Sequence, residues 1–452
     1  MISIPTYIIN LKSRPERRLS VLNEFSNNPI PFPQDNGEPI CKFALNVVNA
    51  IQDKNGAIGL WKSIKYIIED LTGSTEEYIL ICEDDHQFTE EFSIDTLLQR
   101  IAEAQNFGGD ILLGGISWCN NAISVNSHLF WVDRFSGLQF VIIFRQFFST
   151  ILQASFNEYD CADYKISDLT DKKFVIYPFI SVQKDFGYSD ITPKNNEEGR
   201  CTKLFKDSSN CFSSLRKVEN FYKECKATLS INEADYNEIS IPTYIINLPD
   251  RTDRLEHIRK EFASRQEFSL TIVEGCRHSI GAVGLWESIR KVVSLAIENN
   301  DDVIIVCEDD HLFTEHYSKN TFIQNVIEAH TQGVDMLIGG VANARYILPV
   351  TETRFWVGDF WSTQFIVLYK NAFPLIMNEP YNEDVVADGK LSEIIVRKMV
   401  LFPFISIQKE FGYSDISAYY NNRRENNPPH KKFQDSFRKF ELIRKIYYDY
   451  RR

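Results

Sequence analysis

Short apolar runs alternate along the chain with segments in which apolar residues recur every three to four positions. The runs predict strands at residues 7–11, 78–82, 111–113 and 138–144. The spaced segments predict helices with one apolar face at residues 14–25, 59–68 and 96–104. Strands that alternate with helices are typical of an α/β fold with a mostly parallel sheet, and we predict that fold class.

The same pattern occurs twice in the chain. Residues 2–11 recur unchanged as residues 239–248, and the CEDDH sequence of residues 82–86 recurs as residues 307–311. The offset between the copies falls from 237 to 225 residues between these motifs, so the first copy carries 12 extra residues. We assign the extra residues to a surface loop in the proline-rich stretch 28–33.

A repeat of this length corresponds to a complete domain and is too long for a solenoid unit. We therefore predict two domains, at residues 1–226 and 239–452. The polar segment 227–238 is predicted to be the linker between them.

Composition and charge narrow the class of protein. The 452 residues carry a net charge of −13, and an acidic balance disfavours nucleic acid as a partner, because phosphates need a basic face. The chain opens without a basic stretch before an apolar run, and no apolar run reaches the ~18–20 residues of a membrane span. The nine cysteines include no C-x-x-C pair, which favours reduced thiols. We therefore expect a cytoplasmic protein.

Three consecutive carboxylates follow the same apolar strand in each copy. They are Glu83, Asp84 and Asp85, and Glu308, Asp309 and Asp310. Because adjacent carboxylates repel one another, a divalent cation such as Mg²⁺ or Mn²⁺ would stabilise them and could neutralise a diphosphate. The alternative is that the acids cap a helix N-terminus. The following His86 and His311 are either ligands or structural histidines.

A second cluster follows the first strand of each copy. It comprises Asn10, Arg14 and Arg17, and in the second copy Asn247, Arg251 and Arg254. Two arginines three positions apart lie on one helical face and suit a diphosphate or a nucleobase. Salt bridges to Glu16 or Asp253 on the helix surface are the alternative explanation.

Asp163 and Asp388 lie in loops beyond the strand that carries the acids. Either residue suits a general base that deprotonates an acceptor hydroxyl, and turn or N-cap chemistry is the alternative. Asp190 and Asp415 are further contacts to metal or donor, or capping residues. Trp131, Trp356 and Trp361 either stack on a sugar or pack in the core.

Both copies end in a helical stripe of aromatic residues. The stripes contain Phe212, Leu215, Val218 and Tyr222, and Phe433, Phe437, Phe440, Ile443, Tyr447 and Tyr450. Because both copies have the stripe, we predict that it docks on its own domain. The second stripe is also flanked by basic residues, which leaves peripheral contact with the inner face of a membrane as an alternative.

Taken together and in this order, these motifs resemble glycosyltransferase family 25. The matching features are YIINL followed by Arg-x-x-Arg, Gly-x-x-Gly before a helix, an apolar strand ending in Glu-Asp-Asp, and a late Ser-Asp-Ile. The family includes bacterial lipooligosaccharide galactosyltransferases and the collagen galactosyltransferases. The resemblance covers nearly all of each copy. Many members carry Ser-His in the helix after Gly-x-x-Gly, and that histidine is absent here.

The resemblance implies two tandem GT-A-like, Rossmann-like domains that use a nucleotide-sugar donor, often UDP-galactose, with Mn²⁺ or Mg²⁺ and inversion at the anomeric carbon. Asp84, Asp85, Asp309 and Asp310 would hold the metal. The donor would be bound by Asn10, Arg14, Arg17 and Glu83, and by Asn247, Arg251, Arg254 and Glu308. Asp163 and Asp388 would be the catalytic bases.

We therefore expect a bifunctional glycosyltransferase that acts on a glycan or lipid-linked glycan in cell-surface polysaccharide or lipopolysaccharide synthesis. One alternative is a single catalytic domain beside a degenerate domain that binds glycan or serves as a scaffold. Another is a metal-dependent phosphoesterase or nuclease, which would need further acidic or histidine ligands.

Overall fold

The computed structural model describes residues 2–27, 41–73, 75–188, 197–225, 233–379, 386–412 and 428–451. Contacts divide the chain into two units, Met1–Lys217 with Ile446–Arg452, and Val218–Lys445. Of the predicted linker, Glu233–Glu238 forms a short helical turn, and residues 227–232 lie outside the described ranges. The proline-rich stretch 28–33 also lies outside them.

The first unit combines strands and helices in alternation. Its strands are β1 (Ile2–Asn10), β2 (Cys41–Asn49), β3 (Tyr78–Glu83), β4 (His86–Phe88), β5 (Ile111–Leu113), β6 (Trp118–Cys119), β7 (Ala122–Ser124), β8 (Leu129–Val132), β9 (Phe135–Ser136), β10 (Phe140–Phe144), β11 (Lys173–Ile176) and β12 (Ser181–Gln183). Its helices are α1 (Pro15–Asn27), α2 (Gly56–Tyr66), α3 (Ile94–Asn106), α4 (Phe148–Gln153), α5 (Ala162–Leu169) and the part of α6 (Arg200–Glu224) up to Lys217, with short helical turns at Ile67–Leu71 and Arg145–Phe147.

Eight described strands of this unit form one sheet in the order β2-β1-β3-β10-β5-β11-β8-β7. The pairs β1–β2, β1–β3 and β5–β11 are parallel. The pairs β3–β10, β10–β5, β11–β8 and β8–β7 are antiparallel. The sheet is therefore mixed, and the prediction of a mostly parallel sheet is wrong. The described residues 114–139 between β5 and β10 contain no helix that could form a parallel crossover.

The second unit has the same strand order, β14-β13-β15-β22-β17-β23-β20-β19. Its strands are β13 (Ile241–Asn247), β14 (Phe268–Glu274), β15 (Val303–Glu308), β16 (His311–Phe313), β17 (Met336–Ile338), β18 (Asn343–Arg345), β19 (Leu348–Pro349), β20 (Arg354–Trp356), β21 (Asp359–Trp361), β22 (Phe365–Tyr369), β23 (Lys398–Leu401) and β24 (Ser406–Gln408). Its helices are α7 (Thr252–Phe262), α8 (Gly281–Glu298), α9 (Lys319–Thr331), α10 (Phe373–Asn378), α11 (Ala387–Ile394) and the part of α12 (Pro429–Asp449) up to Lys445. The protein is thus α/β with two eight-stranded mixed sheets.

The central strands are covered on both faces. Every position of β5, β10 and β11 is buried, and four of the six positions of β3 are. Such strands form continuous apolar runs, which is why β3, β5 and β10 were visible in the sequence. The edge strands β2 and β14 were not predicted, because their positions are partly exposed; in β14 only Phe268 and Val273 are buried.

The Gly-x-x-Gly segments allow a close approach between a helix and the loop before it. A Cβ atom on Gly59 in α2 would lie 2.6 Å from the carbonyl oxygen of Ile51, and one on Gly284 in α8 would lie 2.5 Å from that of Cys276. Asn55 begins α2, and its side chain accepts a hydrogen bond from the backbone N–H of Ala57 at 3.0 Å. These contacts hold the start of the helix close to the end of β2.

Phenylalanines of the two aromatic stripes pack against the sheet of their own unit. Phe212 of α6 contacts the rings of Phe130, Tyr177 and Phe179. Phe440 of α12 contacts Phe355 and Phe402. The docking prediction is confirmed for Phe212 and Phe440. It is wrong for Tyr450 of the second stripe, whose ring contacts Phe107 and Phe174 and which belongs to the first unit. Within the described ranges, no helix is long and apolar enough to cross a membrane.

Candidate functional site

The predicted acids and the first strand meet at one edge of the sheet. Strand β1 ends at Asn10 beside the end of β3, because Ile9 pairs with Glu83 in the parallel ladder. The side-chain amide of Asn10 donates a 2.8 Å hydrogen bond to Asp84. Strand β10 runs the other way, so its beginning lies at the same edge, and the Glu83 N–H donates to the carbonyl oxygen of Gln139 at 3.1 Å.

Arg17 is buried against the acid cluster, with 4% of its surface exposed. One terminal nitrogen donates to Asp84 at 3.3 Å and to Asp85 at 3.4 Å. The other two nitrogens donate to the hydroxyl and carbonyl oxygens of Tyr188, and the rings of Phe186 and Tyr188 lie 4.6 and 4.3 Å from the guanidinium carbon. The structure therefore makes Arg17 the counter-ion of the acids, and its predicted contact with the donor stays a prediction.

The second unit repeats this arrangement. The amide of Asn247 donates to Asp309 at 2.8 Å, and the guanidinium of Arg254 donates to the other oxygen of Asp309 at 3.0 Å. The same nitrogen lies 3.6 Å from Asp310. Sequence reasoning assigned these residues to two separate clusters, whereas the fold joins them in one.

Arg14 and Arg251 occupy different positions from the buried arginines. Arg14 is half-buried and lies over the Tyr188 ring, 4.9 Å from its centre. Arg251 directly precedes α7, and its charge lowers the otherwise raised pKa of Asp310. Arg251 is also half-buried, whereas Arg17 and Arg254 are buried. In each predicted pair the first arginine is therefore the more exposed one.

Burial and mutual repulsion perturb the acids. Burial, more than the neighbouring Asp84, raises the pKa of Asp85 to about 6, although a hydrogen bond from Gln183 opposes the shift. Burial and Asp309 raise the pKa of Asp310 to about 7, against the charge of Arg254. The pKa of Glu83 is raised well above its usual range by burial and by the carboxylates around it. Among the described residues, one arginine in each cluster makes ion pairs with the acids, so each cluster holds more acidic than paired basic groups and favours positive charge.

The hydrogen bonds of the carboxylate oxygens decide which of them could hold a metal ion. Both oxygens of Asp84 are hydrogen-bonded, whereas Oδ1 of Asp85 and Oδ1 of Asp310 are buried and lack a partner in the described part of the chain. No group of three or more His, Cys, Asp or Glu side chains with suitable geometry occurs among the residues described. The donor set fits an ion such as Mg²⁺ that takes one or two carboxylates and fills its other positions with water and substrate phosphate.

His86 and His311 are structural. Their Nδ1 atoms each lie 2.8 Å from a serine hydroxyl, Ser181 and Ser406 respectively. Burial among phenylalanine rings lowers the pKa of His86 to about 3 and keeps it neutral. The packing therefore supports the interpretation of both residues as structural histidines.

Asp163 lies in the first turn of α5 and faces the loop before β10. Its Oδ2 accepts hydrogen bonds from the Gly137 N–H at 2.7 Å and the Ser136 hydroxyl at 3.0 Å. Asp388, in the first turn of α11, accepts from the Ser362 N–H at 3.2 Å and the Gly389 N–H at 2.8 Å. Burial raises the pKa of both aspartates. Gly137 has φ of +124°, and Ser362, at the matching position, has φ of +104°.

A cleft of about 930 Å³ in the first unit joins the two halves of the site. Of the predicted residues, it is lined by Arg14, Arg17, Glu83, Asp84, Asp85 and Asp163. Asn10 does not line the cleft, but its side chain donates a hydrogen bond to Asp84, which does. Sequence reasoning missed Gln183, Lys184, Trp118 and Tyr164, which also line the cleft. No local motif marks Trp118, Gln183 or Lys184, because they reach the cleft from other parts of the chain; Tyr164 directly follows Asp163.

The remaining candidates fall into three groups. Trp131 and Trp356 are buried, and their indole N–H groups donate to backbone carbonyl oxygens, so for them the core alternative is confirmed. Trp361 is 38% exposed. Asp190 and Asp415 lie outside the described residues.

Comparisons with known proteins give no family assignment. No protein-family model matches the chain, and no curated protein matches it. Among solved structures, A197 from STIV is similar at 13% identity over 38% of this chain and 86% of its own, with a TM-score of 0.28. An apo UDP-glucose pyrophosphorylase matches at 12% identity over 47% of this chain and 85% of its own, with a TM-score of 0.26.

A nucleoside-diphosphate-sugar pyrophosphorylase from Vibrio cholerae RC9 matches at 11% identity over 42% of this chain and 82% of its own, with a TM-score of 0.25. These TM-scores are too low to support a functional argument. The resemblance to glycosyltransferase family 25 therefore stays a prediction.

Proposed function

We propose that each unit is a GT-A-like glycosyltransferase domain that moves a sugar from a nucleotide-sugar donor to a hydroxyl of a glycan or lipid-linked glycan. The observation that carries the proposal is the cleft of the first unit. It places the acid cluster and the half-buried side chains of Arg14 and Asp163 around one space. Anion binding, cation binding and proton transfer are the three requirements of this reaction.

The donor diphosphate would be bound at the acid cluster. Arg14 supplies a cationic group on the cleft wall for a phosphate. Asp85, through its unpartnered oxygen, and Glu83 would hold Mn²⁺ or Mg²⁺. When bound, the metal would neutralise charge on the leaving diphosphate. Arg17 and Asn10 hold Asp84 and Asp85 in place and so position the site.

Asp163 would act as the general base. The acceptor oxygen forms a bond to the anomeric carbon, its proton passes to Asp163, and the bond to the nucleoside diphosphate breaks. A single displacement of this kind inverts the anomeric carbon. Burial raises the pKa of Asp163, and a base with a higher pKa accepts the proton more readily. The Gly137 N–H and the Ser136 hydroxyl orient the carboxylate.

The second unit carries the same groups in Asp309, Asp310, Arg254 and Asp388, so we propose that both units are catalytic. A second candidate is that only the first unit catalyses transfer while the second binds glycan. One hydrogen bond favours this second candidate. The Thr363 hydroxyl donates to Glu308 at 2.6 Å and so occupies an oxygen that would otherwise bind a metal, whereas Leu138 at the matching position cannot donate to Glu83.

The test is release of UDP from UDP-galactose and other UDP-sugars by the full chain, with Mn²⁺, with Mg²⁺ and with chelator. Asp85→Ala and Asp310→Ala are compared singly and together with exposed-acid controls, Asp168→Ala and Asp302→Ala. Circular dichroism and thermal unfolding confirm that each variant is folded. We expect each site variant to lose part of the metal-dependent turnover and the double variant to lose all of it.

If neither site variant loses turnover, the proposed site is wrong. If only one does, the other unit is not catalytic and the second candidate stands. If the wild type hydrolyses phosphoesters but never transfers or releases UDP, the site belongs to a phosphoesterase.

A further inference from the structure

A small two-stranded ribbon lies next to the proposed base in each unit. In the first unit β6 pairs with β9, and Trp118 lies directly opposite Ser136. In the second unit β18 pairs with β21, and Asn343 lies directly opposite Trp361. Both positions match at the common offset of 225 residues. Each ribbon therefore carries one tryptophan at the same cross-strand pair, but on opposite strands.

In the first unit the side chains of this pair point toward the proposed base, and in the second unit the residue after the tryptophan contacts it. Directly opposite residues in an antiparallel pair project from the same face. In the first unit, the Ser136 hydroxyl reaches Asp163 at 3.0 Å, so that face is the one turned to the base. Trp118 projects from the same face and lines the cleft with Ser136 and Asp163. The residue after Trp361 is Ser362, whose N–H donates to Asp388.

Exposure separates these two tryptophans from the others. The chain has six tryptophans, and Trp61, Trp131, Trp286 and Trp356 are buried. Trp118 is half-buried and Trp361 is 38% exposed. An indole ring left open beside a proposed base is not needed for the core. It offers an apolar face to a ligand whose reacting group lies at the carboxylate.

The surroundings of the two rings differ. Trp118 is backed edge-on by Tyr164, 6.2 Å away, and the Arg134 guanidinium lies 4.3 Å from the centre of the Tyr164 ring. Gly389 takes the place of Tyr164 in the second unit, and among the described residues a Cβ there would meet Val386 alone, at 4.0 Å. The second unit therefore has no aromatic side chain at the position where Tyr164 backs Trp118. The tryptophan itself is displaced by one strand spacing, about 4.8 Å.

We propose that Trp118 and Trp361 are the platforms on which the pyranose ring of the acceptor stacks, and that their displacement gives the two units different acceptor preferences. This inference rests on the proposed function. The apolar C–H face of a pyranose packs against the indole, and its hydroxyl edge is then directed at Asp163 or Asp388. Because the platform comes from opposite strands, the same sugar presents a different hydroxyl to the base in each unit.

The first experiment measures binding alone, without donor or metal. Methyl β-galactopyranoside, methyl β-glucopyranoside and methyl N-acetyl-β-glucosaminide are titrated against the full chain by tryptophan fluorescence and saturation-transfer NMR. In Trp118→Ala the remaining tryptophan-dependent binding reports on the second unit, and in Trp361→Ala it reports on the first. Trp→Phe variants at both positions keep a ring, and Tyr159→Ala removes a 90% exposed aromatic elsewhere as a control.

We expect each Trp→Ala variant to lose the sites of its own unit, with affinity falling about 5- to 10-fold, while the Phe variants and Tyr159→Ala stay near wild type. The exchange variant Trp118→Asn with Ser136→Trp should shift the ranking of the three glycosides in the first unit toward that of the second. In transfer assays, Trp→Ala should raise KM for the acceptor and leave KM for the donor unchanged.

Unchanged glycoside binding in both Trp→Ala variants, with folding intact, would overturn the inference. So would a loss of UDP affinity in place of glycoside affinity, which would assign the platform to the donor. Tryptophan-dependent glycoside binding in a chain that never turns over UDP-sugar would sink the proposed function and leave the platform standing. Metal-dependent transfer together with glycoside binding that does not depend on either tryptophan would support the proposed function and overturn the platform.

Discussion

Replacing Ser362 with glycine is expected to stabilise the second unit. Ser362 has φ of +104°, in a region where a β-carbon is strained, and its partner in the first unit is a glycine with φ of +124°. A non-glycine residue held in such a conformation costs about 1–3 kcal/mol. The backbone N–H that binds Asp388 is kept in the variant.

The magnitude follows from two opposing effects. Relief of about 1–3 kcal/mol of strain is reduced by about 0.5–1 kcal/mol, because glycine gains more freedom in the unfolded chain. The net gain is about 1 kcal/mol, which raises Tm by roughly 2–4 °C for a unit of this size. The reverse change, Gly137→Ser, should destabilise the first unit. Its new β-carbon would also lie 3.0 Å from the Gln139 side chain and 3.3 Å from the backbone of Ile116.

Urea unfolding followed by circular dichroism and tryptophan fluorescence measures both changes. Ser362→Ala is the matched control, because it removes the hydroxyl but keeps the β-carbon, and it should not stabilise. The strain argument is refuted if Ser362→Gly leaves the midpoint unchanged, or if Ser362→Ala stabilises as much as glycine does.

Three further outcomes are expected from the site and its supports. Arg17→Met leaves Asp84 and Asp85 buried without their counter-ion and should cost about 3–5 kcal/mol in urea unfolding, unless acid or Mn²⁺ restores the balance. Burial raises the pKa of Asp85 to about 6 and that of Asp310 to about 7 from an ordinary 3.8, so the folded state holds protons that the unfolded state releases. Stability without metal should therefore fall as pH rises from about 4 to about 7, and Mn²⁺ should raise Tm more at pH 8 than at pH 5; equal shifts would contradict a metal at these acids. Gly59→Ala should destabilise by about 1–3 kcal/mol, since its Cβ would lie 2.6 Å from a carbonyl oxygen, and an unchanged Tm would show that α2 can move away.

Several features of the site were visible in the chain because they depend on local order. A strand buried on both faces must be a continuous apolar run, and the residues after it must lie at its carboxyl end. The runs before Asn10 and Glu83 therefore placed both residues at strand ends, and the parallel register of β1 and β3 brings Asn10 to Asp84.

Other features were hidden because an apolar run carries no direction. The run at Phe140–Phe144 suits either strand orientation, and only its antiparallel pairing with β3 and β5 places Gly137 and Gln139 at the site edge. The edge strand Cys41–Asn49 lacked the continuous run of a covered strand and was not predicted.

The pairing of side chains was the least accessible property. The spacing of Arg14 and Arg17 put both on one helical face, but the approach of α1 to the sheet buries one on the acids and leaves the other on the cleft wall. The exchange between Trp118 and Trp361 has meaning only because each lies opposite a small polar residue on a neighbouring strand. Spacing along the chain thus encodes which elements form and which motifs share an edge. Charge partners and stacking faces depend on contacts between residues far apart in sequence, and those arise only when the sheet assembles.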